Sequence, residues 1–134
     1  MGTLETAAAA EPAPGGEEPI ESLMARGDMH GSMQAYLRMR ARGEQPDLDP
    51  ELELRLADVL ELGGHLDDAA FACRRAFDKA PQGPLAARAL FTAGRILTEK
   101  AGKPEQGKAV FSYLVDNYPT DPLAKKASLL LSRL

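Results

Sequence analysis

The stretch PELELRLADVLELGGHLDDAAFACRRAFDKAP, residues 50–81, decides the fold. Its apolar residues fall in two runs at three- and four-residue steps: Leu52, Leu56, Val59 and Leu60, then Leu66, Ala69, Ala70, Cys73, Ala76 and Phe77. That is the period of a helix with one buried face. Gly63-Gly64 separates the runs and Pro81 closes the second, where the missing N–H and the ring of proline forbid a further helical turn. Asp49 supplies an N-cap, Pro50 occupies the first helical position, and Glu51 and Glu53 complement the positive end of the helix dipole. Two helices joined by a tight glycine turn follow, with no strand.

The same punctuation extends in both directions. Between the prolines after residue 18 lie amphipathic stretches predicting seven helices, near 17–26, 29–42, 50–62, 67–80, 85–101, 104–117 and 122–132. Glycines that would divide helix pairs stand at Gly27, Gly64 and Gly102, at steps of 37 and 38 residues. Ser32, Ala69 and Gly107 hold the same place in each second helix, where a larger side chain would push paired helices apart. The prediction is an all-α solenoid of about three helix-turn-helix units plus a C-terminal end helix, over residues 17–134.

These residues resemble the tetratricopeptide repeat family, whose units of about 34 residues are helix pairs ending in proline. Stretch 50–83 matches through Leu56, Ala57, Leu60, Gly64, Leu66, Ala69, Ala76 and Pro81. Stretch 87–121 matches through Gly94, Leu97, Gly102, Gly107, Phe111 and Pro119, with one extra residue before its turn. Stretch 13–46 departs from the pattern, with Ile20 where Ala or Gly is expected and Met39 where Ala is usual. Phe111, Tyr118-Pro119, Asp121-Pro122, Ala124 and Ala127 are similar to bacterial envelope repeat proteins of the Tol-Pal coordinator and outer-membrane assembly lipoprotein kind. Those proteins carry export signals and this sequence shows none, so the expected location is the cytoplasm, or the periplasm if a signal has been removed.

Composition narrows the function classes. Of 134 residues 44% are hydrophobic but only 5% aromatic, and Trp is absent, so the core must be built from Ala, Leu and Met. One cysteine allows neither an intrachain disulfide nor a Cys-rich zinc site. A net charge of −4 offers no nucleic-acid footprint. Residues 1–16 are Ala-, Pro-, Gly- and Glu-rich and predict a disordered acidic tail. Its opening matches the loose myristoylation pattern at Gly2 and Thr6, read here as a plain tail. No stretch is apolar enough for direct membrane insertion.

Candidate catalytic chemistry is sparse. His30 and His65 stand near turns without a ligand partner at helical spacing. Cys73 falls on the apolar face of its helix, where a free thiol acts as a small hydrophobe. The acidic run Asp47, Asp49, Glu51 and Glu53 lacks the glycine and terminal Glu of a calcium loop. Arg38, Arg40 and Arg42 suit the negative end of a helix. No enzyme, metal or cofactor is expected. Charge blocks say more. Residues 44–68 carry nine acids and one base, and residues 69–134 carry eleven bases and five acids. Such polarity steers a partner, favours head-to-tail self-association, or pairs neighbouring helices.

The family resemblance implies that the first helix of each unit lines a concave groove. On that mapping the partner-binding residues are Leu54, Asp58, Glu61 and Leu62 from the middle unit, with Arg88, Phe91, Arg95, Thr98 and Glu99 from the next. Leu54 and Asp58 stand where a chaperone-tail clamp needs Lys and Asn, which excludes that ligand. The expected function is a non-catalytic scaffold or adaptor binding a protein partner, such as a short amphipathic segment. Self-association as a homo-oligomer, or as part of a larger repeat assembly, is the alternative.

Overall fold

The structure is a computed structural model in which residues 18–134 are described; the tail reading of residues 1–16 lies outside them. The described residues form seven helices and, among them, no strand. They fall into two compact units that divide after Asp47.

The first unit contains α1 (Ile20–Ala25) and α2 (Met29–Ala41), packed against each other. Pro19 precedes α1, which starts later than the apolar pattern suggests and buries Ile20, Leu23 and Met24. Gly27 turns the chain at φ +78°, while Asp28 N–H donates to Leu23 O and Gly27 N–H to Met24 O, closing the helix end. Asp28 then caps α2 by accepting from Gly31 N–H at 2.8 Å. Ser32, the small residue expected at the helix contact, is fully buried and donates its hydroxyl to Asp28 O.

The second unit contains α3 (Pro50–Leu62), α4 (Leu66–Lys79), α5 (Ala86–Glu99), α6 (Pro104–Asn117) and α7 (Pro122–Leu131). Each packs on the next, and α7 also reaches back to α5, the sequential packing of a helical repeat. Asp49 and Asp121 cap α3 and α7 alike, accepting from Glu51 N–H at 3.2 Å and Leu123 N–H at 2.9 Å. At Gly64 (φ +82°) the α3 end closes as at Gly27, with His65 N–H donating to Leu60 O and Gly64 N–H to Glu61 O. At Gly102 (φ +69°) the corresponding bond runs from Lys103 N–H to Leu97 O, one residue longer, as the inserted residue in stretch 87–121 requires.

The core between these helices is small-residue packing with a few large anchors. Leu56, Ala57, Leu60, Ala69, Ala72 and Cys73 are fully buried along α3 and α4. Further along, Phe111 and Leu114 pack with Ala87, Leu90, Ala124 and Ala127. The absence of side chains at Gly94 and Gly107 permits the α5–α6 approach. A Cβ on Gly94 would stand 2.5 Å from the Phe111 ring, and one on Gly107 would stand 2.9 Å from Gly94 O.

Candidate functional site

The residues assigned to the groove lie on α3 and α5, the first helices of two successive helix pairs within the second compact unit. Leu54 is 3% exposed and belongs to the packed interior, so it offers no accessible apolar anchor. Its neighbours one turn on are different. Asp58 is exposed, and Leu62, the last residue of α3, is 89% exposed. On α5, Arg88 and Glu99 are exposed, while Phe91, Arg95 and Thr98 are half-buried.

Two pairs among these groove residues are brought together. Arg95 lays both terminal nitrogens on Glu61, Nη1 to Oε2 and Nη2 to Oε1, each at 2.8 Å. Fork-to-carboxylate bonds of this kind are the strong, directional ones. Lys100 adds its ammonium at 2.7 Å from Glu61 Oε2. Hydrogen bonding from Arg95 is the main cause that holds the Glu61 carboxyl down at about 2, helped by Lys100 and opposed by burial. The same bond raises the Arg95 pKa. Arg88 approaches Asp58 more loosely, at 3.8 Å between two half-exposed side chains, a pair of little energetic weight.

Lys100 was not among the expected groove residues, nor was the pair Lys103–Asp67 at 2.9 Å. Both continue the line of contacts between the acidic block and the basic one. The block charges were the signal for them, since a segment with eleven bases follows one with nine acids. Phe91 sits with its ring centroid 5.6 Å from Phe111, tilted by 42°, so one side of the ring is engaged in the core. Thr98 turns its hydroxyl back onto Gly94 O at 2.9 Å. On this face Asp58 and Arg88 therefore stand side by side, with Leu62 exposed at the end of α3 and Phe91 half-buried on α5.

Reactive groups stand elsewhere. Cys73 is fully buried, and burial, with the charges of Asp58 and Glu61, pushes its thiol up to about 12. At neutral pH it is a thiol packed in the core. Among the described residues no three His, Cys, Asp or Glu side chains are grouped to hold a metal, and no helix is long and apolar enough to cross a membrane. No protein-family model matches the chain, and no curated protein matches its sequence significantly.

Proposed function

We propose that this chain is a protein-interaction module of the tetratricopeptide-like kind, a non-catalytic adaptor that takes a short amphipathic segment of a partner on the first-helix face of its second unit. The observation that carries the reading is the arrangement of α3 and α5. Their edges are tied together by the Glu61–Arg95 clamp, with Asp58 and Leu62 exposed on α3, Arg88 and Glu99 exposed on α5, and Phe91 half-buried on α5. An aromatic ring with one side held by the core is a rigid anchor that costs little entropy on binding. The exposed charges of Asp58 and Arg88 and the exposed Leu62 offer an amphipathic segment both polar and apolar contacts.

The test is positional crosslinking in the native cell. A photoreactive side chain placed at Leu62 or Glu99 should yield a discrete adduct with a partner protein. The same group at Arg74 on α4 or Ser112 on α6, both exposed on second helices, should not. Adducts from Arg74 and Ser112 with none from Leu62 or Glu99 would transfer the interface to the other face and overturn the reading.

A further inference from the structure

The outward face of α7 is the strongest unmatched feature of the second unit. Ala124 and Ala127 turn into the core, with Leu123, Leu130 and Leu131 partly buried beside them. On the opposite side Lys125 and Leu129 stand four residues apart and so share one face, with Lys126 alongside and Arg133 in the turn just past the helix end. All three cations are exposed, Leu129 is 60% exposed, and the helix carries no acid. The face of α3 shows the complementary pattern. Asp58 and Leu62 are also four residues apart, the acid half-exposed and the leucine 89% exposed. Asp58 is only loosely engaged by Arg88, at 3.8 Å, and retains capacity for another cation.

We infer that the occupant of the α3 face is the α7 helix of a second copy of this chain, seated with Lys125 against Asp58 and Leu129 against Leu62. This rests on the first-helix face being a docking surface and names its ligand as a helix whose leucine is flanked by cations. A symmetric α7-to-α7 contact is excluded by charge, because it would bring like cations together on both sides. The contact is instead heterologous, donor face to acceptor face, and continues from copy to copy as a ring or an open chain.

Sedimentation of the full 134-residue chain decides the matter. At low salt the average mass should rise with protein concentration above the 14.4 kDa monomer, and it should fall back toward the monomer at high salt. Leu129→Glu and Asp58→Lys should each weaken association by about tenfold or more with helical content unchanged, Asp58→Lys also lowering the melting temperature slightly at low salt through loss of its pair with Arg88. The charge swap carrying both Asp58→Lys and Lys125→Glu should restore it. A monomer at every concentration in low salt would overturn the inference, as would association indifferent to both single variants or a swap that fails to restore it. Adducts to a different protein at Leu62, obtained alongside a strictly monomeric chain, would defeat this inference while leaving the docking face standing.

Discussion

Glu61 sits in a setting far from that of an isolated carboxylate. Its side chain is 10% exposed and bound by a guanidinium and an ammonium. Its folded pKa is about 2 against an ordinary 4.5. Between those two values the unfolded chain binds more protons than the folded one, so stability falls as pH drops through that window and is complete above it. The contribution at neutral pH is of the order of 1–3 kcal/mol, net of the cost of burying the charges. Glu61→Gln should remove it, lowering the urea midpoint at pH 7 and flattening the decline between about pH 4.5 and 2. Equal acid sensitivity in the variant and the parent would assign the low pH limit to other carboxylates. Sequence placed Glu61 and Arg95 among the residues lining one groove, from two successive helix pairs. That they form a fork-to-carboxylate bond was not legible, because they are 34 residues apart and the angle between α3 and α5 is a product of packing.

At the scale of helices, the repeat is enforced by positions where side chains are missing. Gly64 sits at φ +82°, a conformation in which a Cβ meets its own backbone, so Gly64→Ala should cost about 1–2 kcal/mol through the turn alone. Gly94 and Gly107 differ in kind from it and from each other. A Cβ at Gly94 meets only the buried Phe111 ring, a side chain, whereas at Gly107 it meets Thr98 Cγ2 and also backbone, Gly94 O at 2.9 Å and Thr98 N at 3.0 Å. Backbone cannot rotate away, so Gly107→Ala should force α5 and α6 apart and cost about 1–3 kcal/mol, more than Gly94→Ala. Chemical denaturation of the two variants gives the order directly. Ala69 is fully buried at the matching place in α4, and Ala69→Leu should be overpacked in the same way. If Gly107→Ala left the midpoint unmoved, the close α5–α6 approach would have to be wrong. The glycine spacing made these crossings readable in advance, because only a tight turn followed by a small residue satisfies both φ and contact at a fixed step. Leu54 was misread as accessible because helical period alone does not say how wide the buried stripe is.

Taken over the second unit, the two charge blocks meet through Asp58–Arg88, Glu61–Arg95, Glu61–Lys100 and Asp67–Lys103. Much of the polarity visible in the sequence is thus spent between neighbouring helices, one of the three outcomes that block charge allows. The helix order was legible because apolar period, proline and glycine are local signals. The division of labour among charges was not, since it depends on which side chains are screened by water. That dependence yields the last prediction. Asp58 and Asp67 pair while more than half exposed, at side-chain exposures of 54% and 65%, whereas Glu61 pairs at 10%. An exposed pair contributes about 0–1 kcal/mol and fades as added salt shortens the Debye length toward the separation of the two charges. Asp58→Asn and Asp67→Asn should therefore shift the urea midpoint slightly at low salt and not at all at high salt, while the Glu61→Gln shift should survive in both. A Glu61→Gln effect erased by salt would mean that water reaches the clamp. The α3 and α5 edges would then be free to move apart, and the docking face they frame would not be preformed.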